Sequence, residues 1–319
     1  HQPGSVTGGL AASIIGSYGG FMTGYAPLQL ALLEAGVWLP LAVLAVLEAT
    51  RAARIRWAWL GLAGTALGLS WMAGHPQTSY FLSLLLVAYL GYRAYTQRYH
   101  WWLFITGTAL LALIAGGLAA VQLLPGLEYL SHTARVGFTY DAKSNGFPVR
   151  DVMQVVFPGL MSLFSPLYIG VAGLVLAAIT LWRRVPGSLF WGGVVLVALG
   201  LSLGANSAIF PALYNLLPGM RFFRGQERAA YLVTHSLAVL AGLGAAHLVT
   251  IDKLQDFKAV RHIQQVLTVL AVVCATIAGL TLLVWLADQE AYASAVNTIM
   301  FTAIIAVILL PLLPWLLAN

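Results

Sequence analysis

The stretch Leu217-Pro-Gly-Met-Arg-Phe-Phe-Arg-Gly-Gln-Glu-Arg228 carries the most specific chemistry in the chain. It places Arg221, Arg224 and Arg228 within eight residues, interleaved with Phe222 and Phe223, directly before an apolar run. A guanidinium is a planar fork whose N–H groups match two phosphate oxygens at once. Aromatic side chains beside it can seat the loop in a membrane interface or touch a lipid tail. A lipid-linked phosphate satisfies both features. General contact with anionic headgroups satisfies them less specifically.

Two further segments hold polar groups next to apolar runs. In Trp71-Met-Ala-Gly-His-Pro-Gln-Thr-Ser-Tyr80, Gly74 and Pro76 supply turn chemistry and leave His75 and Gln77 at the surface. His75 could donate to a phosphate or exchange a proton near neutral pH. The plain reading is a turn whose polar residues face water. In the segment from Val121 to Arg135 the chain leaves an apolar run and continues as a predicted helix. Glu128, His132 and Arg135 then share one face, by their spacing of four and seven residues. A polar site and an interfacial salt-bridge network both fit that arrangement. Glu34 and His235 sit inside mostly apolar runs, where ionisable groups point to function or to satisfied structural pairs.

The elements that position these residues are dictated by composition. Of 319 residues, 60% are hydrophobic and 8% charged, and the mean hydropathy is +0.87. A soluble domain carries about 25% charge, so this chain is neither a soluble globule nor a nucleic-acid binder with a charged surface. The apolar runs approach about 20 residues, the length of a bilayer-spanning helix, and do not alternate as barrel strands do. They are Gly9–Tyr25, Val37–Ala49, Trp57–Ala73, Ser79–Tyr95, Trp101–Leu124, Leu167–Trp182, Ser188–Leu203, Ala229–Val249, Val266–Ala287 and Ala295–Leu317. The second is too short to cross unless Pro27–Gly36 leads into it. The expectation is an all-α, polytopic transmembrane protein with about ten spans, forming one domain over residues 1–319. The chain begins with His and stops in a hydrophobic stretch, so it reads as a fragment of a longer protein.

Charge placement sets the expected orientation. One set of alternate loops holds ten Lys and Arg in short connectors and the opposite set holds six, so the first set reads as cytoplasmic. Both ends of the chain then fall on the cytoplasmic side of the inner membrane. The six outer basic residues are Arg135, Lys143, Arg150, Arg221, Arg224 and Arg228, all in the loops Pro125–Pro166 and Gly204–Arg228. Either they hold something anionic at the outer face, or the long loops simply tolerate charge. The single Cys274 cannot form an intrachain disulfide, and no Cys/His cluster has metal-ligand spacing. No nucleophile-elbow, Walker A, HExxH or dinucleotide-loop signature occurs. No fixed-period repeat is visible, which disfavours a transporter or flippase built from inverted repeats.

Four motifs in order resemble the bacterial YfhO-like multi-span membrane proteins. They are Trp38-Leu-Pro-Leu41 opening a span, Ala73-Gly-His-Pro-Gln77, Gln122-Leu-Leu-Pro125 with nearby Ser131 and Arg135, and Pro218-Gly219 followed by Arg221-Phe-Phe-Arg224 and Arg228. The stretch Ala241-Gly-Leu-Gly244 fits as well, so the resemblance spans about residues 8–250. That family is placed in the GT-C glycosyltransferase superfamily. The resemblance implies a GT-C-like architecture and transfer of a sugar from a polyprenyl-phosphate donor to an acceptor at the outer face of the membrane. Such transfer needs cations to stabilise the departing phosphate, and Arg221, Arg224, Arg228 and Arg135 are the expected ones, with His75 and Gln77 lining the same outer cavity. Such enzymes use an acidic residue in the first outer loop as base or metal ligand. Here that loop and the spans around it have no counterpart, which leaves the base and the need for a divalent metal undecided. Glu128 and Asp141 are the candidate carboxylates on the outer side, which also carries Asp151, Glu227, Asp288 and Glu290. The partners implied are membrane lipids, the lipid-linked sugar and other membrane subunits. A noncatalytic subunit of a larger complex is the competing expectation.

Overall fold

The computed structural model describes residues 3–52, 54–133, 137–159, 164–250 and 296–305, with single positions between 265 and 307. Every regular element among the described residues is helical. The helices are α1 (Pro3–Tyr18), α2 (Leu30–Gly36), α3 (Leu39–Ala49), α4 (Trp57–Met72), α5 (Pro76–Thr96), α6 (Trp101–Ser131), α7 (Tyr140–Lys143), α8 (Val171–Trp182), α9 (Ser188–Ser202), α10 (Phe210–Leu216) and α11 (Ala230–Thr250). Among the described residues three stretches are long and apolar enough to cross a membrane: Leu30–Ala49, Trp101–Ser131 and Gln226–Thr250. The expected span Val266–Ala287 and most of Ala295–Leu317 lie outside the described residues.

Most described helices lie close to the apolar runs, and some departures have a local cause. Val37–Ala49 does gain length from the segment before it, because α2 and α3 come directly one after the other. The break between them falls beside Pro40 in the first turn of α3. Proline lacks an N–H and clashes with the carbonyl four residues back, here that of Gly36. Helix α6 runs past Leu124 as expected, with Pro125 inside it. Its 31 residues span about 46 Å, well beyond the roughly 30 Å hydrocarbon core, so its last turns reach past the apolar layer. Helix α8 begins at Val171, later than the Leu167 expected, because Gly170 adopts a left-handed φ of 84° that no continuing helix permits.

The chain groups into two compact units. One comprises Ala26–Phe147 and Ala198–Leu232, and the other His1–Tyr25, Pro148–Val197 and Val233–Asn319. In the first unit α4 packs on α6 through small residues. A Cβ on Gly64 would lie 3.0 Å from Ile114, and one on Gly68 would lie 2.9 Å from Leu118. Without a hydrophobic drive between helices in lipid, such close approach supplies the packing energy. Buried hydroxyls add cross-links. Ser70 donates to the Ala35 carbonyl (2.9 Å), Ser79 donates to the Ser70 carbonyl (2.7 Å), and Tyr231 donates to the Gly36 carbonyl (3.0 Å). At the other ends of these helices Arg93 donates to the Thr50 hydroxyl and carbonyl, both at 3.0 Å, and closes the end of α3. In the second unit α1 meets α11 at Gly8 and Gly242, and Thr180 of α8 donates to the Leu240 carbonyl at 2.8 Å.

Candidate functional site

The site is built within the first unit, where the start of α5 meets the loop that precedes α11. Gly74 has φ 82° and turns the chain out of α4, and Pro76 fixes the first residue of α5. His75 is the N-cap. Its Nδ1 accepts from the Thr78 N–H at 3.3 Å and lies 2.8 Å from the Thr78 hydroxyl. Since Nδ1 is the acceptor, the ring proton belongs on Nε2. Burial, with the Arg228 charge beside it as the second cause, lowers the His75 pKa to about 4. The imidazole is therefore neutral at physiological pH and offers an N–H donor. Of the two chemistries the sequence allowed for His75, the structure favours donation over proton exchange.

Two residues later, Gln77 is buried, with 3% of its surface exposed. Its Nε2 donates to the Gly225 carbonyl at 3.2 Å, and its Oε1 accepts from Arg228 Nη1 at 2.9 Å. Arg228 Nη1 also donates to the Arg224 carbonyl at 3.0 Å, while its buried Nε has no partner. The loop is bent by left-handed backbone at Gly219 (φ 84°) and Gly225 (φ 71°). A Cβ on Gly225 would lie 2.8 Å from Glu227 Oε1 and 3.1 Å from Arg228 Nη1, the far ends of two flexible side chains that would have to shift, while the left-handed backbone is what favours glycine. Tyr80 ties the loop down a second time. Its hydroxyl donates to the Pro218 carbonyl at 2.8 Å, and its ring packs 4.9 Å from that of Phe223. Gln226 is fully buried, with its backbone N–H on the Asn145 carbonyl (2.7 Å) and its side-chain amide on the Lys143 carbonyl (2.8 Å).

The two outer arginines are exposed but held. Arg221 donates to Asn215 Oδ1 at 2.9 Å and lies 6.0 Å from the Tyr214 ring centre. Arg224 lies 5.6 Å from the Phe138 ring centre. Among the described residues none of the three loop arginines pairs with a carboxylate; the ion pairs found join Glu48 to Arg51 and Arg56. The loop thus carries three guanidiniums to one carboxylate, Glu227, and presents a net positive group of hydrogen-bond donors of the kind that suits phosphate oxygens.

The structure thus joins Gln77 and Arg228 directly, sets His75 close enough to feel the Arg228 charge, and places Arg221 and Arg224 on the same loop as Arg228. Arg135 lies outside the described residues. Glu128 is exposed on the extension of α6, and Asp141 is exposed on α7; neither forms an ion pair with the loop arginines. Among the described residues no cluster of His, Cys, Asp or Glu could hold a metal. Sequence reasoning missed Phe138, Tyr214 and Asn215 as supports for the arginines. Only the spacing of Tyr214 and Asn215, six or seven residues before Arg221, hinted at them. Compared with models of known families, with curated proteins and with solved structures, the chain finds no match.

Proposed function

We propose that this protein is a membrane glycosyltransferase of GT-C-like architecture and about ten spans, with its termini on the cytoplasmic side. Its donor is a sugar carried on polyprenyl phosphate, transferred to an acceptor at the outer face. The observation that carries this reading is the seating of Arg228 by Gln77 beside a neutral His75, in a loop whose three arginines outnumber its one carboxylate, Glu227. Transfer from a lipid-linked phosphate needs cations where negative charge develops on the leaving group. Arg228, Arg224 and Arg221 supply them, and His75 Nε2–H adds a neutral donor. Two of the four motifs resembling YfhO-like proteins, Ala73–Gln77 and Pro218–Arg228, meet here through the bond from Arg228 to Gln77, which supports the same reading.

A second reading is a noncatalytic membrane subunit that holds the same lipid phosphate. It is favoured by the positions of Glu128 and Asp141, neither of which joins the cluster to act as base. One experiment tests both. Purified protein in nanodiscs is given a radiolabelled polyprenyl-phosphate sugar, and binding and transfer are measured for the wild type and for Arg224→Ala and Arg228→Ala. Loss of an arginine hydrogen-bonded to phosphate costs about 1.5–3 kcal/mol, so each variant should weaken binding by roughly tenfold or more. Arginine-dependent binding with transfer supports the enzyme, and the same binding without transfer supports the subunit. Normal binding by both variants refutes both readings.

A further inference from the structure

The loop before α11 presents an apolar face that its neighbours do not cover. The two adjacent phenylalanines part company: Phe223 turns in against Tyr80, while Phe222 remains 67% exposed. The split comes from the 3-10 turn Met220–Phe222, which buries Met220 completely and carries Phe222 to the other side. Helix α10 repeats the pattern. It buries Phe210 and Tyr214 but leaves Leu216 at its end 77% exposed, and Ile209 just before it 45% exposed. Large apolar side chains facing outward from a short polar loop have no reason to face water.

The level of this loop is fixed by the apolar stretch on its C-terminal side. The stretch Gln226–Thr250, long and apolar enough to cross a membrane, starts four residues after Phe222. The loop therefore sits where that stretch would enter the bilayer. The exposed arginines flank the exposed Phe222 on both sides, each pinned to an aromatic ring and free of any carboxylate among the described residues. An apolar tip between two held cations is complementary to a leaflet with anionic phosphates above and acyl chains below.

We propose that residues 209–224 lie in the outer interface of the membrane and dock on anionic bilayer lipid. Leu216 and Phe222 enter the acyl boundary, and Arg221 and Arg224 meet the headgroup phosphates. The inference rests on the proposed function in sharing these two arginines and in taking this face as the outer one. Arg221 and Arg224 rest on headgroup phosphates when no donor is bound, while Arg228, hydrogen-bonded to Gln77, stays with the donor site. A lipid-borne phosphate then reaches Arg228 sideways, from the leaflet and not from water.

Spin-label depth measurement tests this. Cys274→Ser removes the single native cysteine, and Leu216→Cys, Phe222→Cys and Ala142→Cys each receive a nitroxide. All three positions are exposed, so the fold tolerates the labels. The proteins are placed in nanodiscs of phosphatidylglycerol and phosphatidylethanolamine, or of phosphatidylcholine alone. At 216 and 222 the ratio of oxygen to nickel-chelate accessibility should exceed that at 142 several-fold. Equal, water-like ratios at all three positions overturn the proposal. With Arg221 and Arg224 both changed to Gln, the label at 222 should move toward the headgroups in the anionic discs and match its position in phosphatidylcholine. A depth indifferent to both the lipid charge and the arginines overturns docking on anionic lipid. Arg228→Ala serves as the separating control. If donor binding fails to depend on Arg228 while 222 stays at depth, the proposed function falls and this inference stands.

Discussion

Replacing Gln77 with Glu is the sharpest perturbation of the anion site, because it keeps the side chain's size and reverses its electrostatics. The new carboxylate still accepts from Arg228 Nη1, at the position where Gln77 Oε1 now stands 2.9 Å away. It loses the donor to the Gly225 carbonyl, a bond of 3.2 Å. The Gly225 carbonyl loses its donor and faces a carboxylate oxygen instead, and a charge is added on a buried side chain, so the ion pair with Arg228 offsets only part of a cost of about 1–3 kcal/mol and the melting temperature should fall modestly. Anion affinity should change a great deal. A carboxylate about 5 Å from a bound phosphate opposes it by about 3 kcal/mol at an effective dielectric of about 20. That corresponds to a roughly hundredfold weaker Kd, or nearer tenfold where solvent screens the site. The assay is titration calorimetry with a short-chain polyprenyl phosphate in detergent, paired with a melting curve on the same sample. A Gln77→Glu protein that still melts cooperatively and binds the lipid phosphate as well as the wild type would refute the placement of phosphate beside Arg228.

The same geometry sets three further outcomes. The lowered pKa of His75 means that between about pH 6.5 and about pH 4 the unfolded chain binds a proton that the folded chain refuses. Stability should therefore fall as pH drops through that window, and His75→Asn, which can still cap α5, should flatten the melting-temperature profile there; an unchanged profile would count against the neutral imidazole. Gly225→Ala and Gly74→Ala both put a side chain on left-handed backbone, costing about 1–2 kcal/mol each, but only the first also crowds Arg228 and Glu227. Both should lower the melting temperature, and only Gly225→Ala should also weaken lipid-phosphate binding in calorimetry. Arg93→Met removes two hydrogen bonds to Thr50, remote from the anion site, and should destabilise by about 1–3 kcal/mol in denaturation while leaving the Kd unchanged.

Much of the scaffold was legible because bilayer-length apolar runs leave a chain few choices. Trp57–Ala73 became Trp57–Met72, and Ser188–Leu203 became Ser188–Ser202. The continuation of α6 beyond Leu124 was legible too, since proline at position 125 did not end a segment otherwise rich in helix formers. The cluster around Arg228 was legible only as separate motifs. The spacing of three arginines suggested phosphate chemistry, and Ala73-Gly-His-Pro-Gln77 suggested a polar turn. Nothing local could show that Gln77 and Arg228 share a hydrogen bond, because 151 residues separate them.

By itself the sequence determined the helical class, the placement of most helices and the residue types able to hold a phosphate. These follow from hydropathy and side-chain chemistry, which act over a few residues. The tertiary structure decided the states and partners of those residues. Burial and the neighbouring Arg228 charge make His75 a neutral donor, an outcome its ordinary pKa does not foretell. Phe138 and Tyr214 hold Arg224 and Arg221 at the surface, and the turn at Met220 sends Phe222 outward while Phe223 goes in. Glu128 and Asp141 carry suitable chemistry but pair with none of these arginines. Charge, solvation and contact depend on which segments the fold brings within a few ångströms, and no local pattern encodes that.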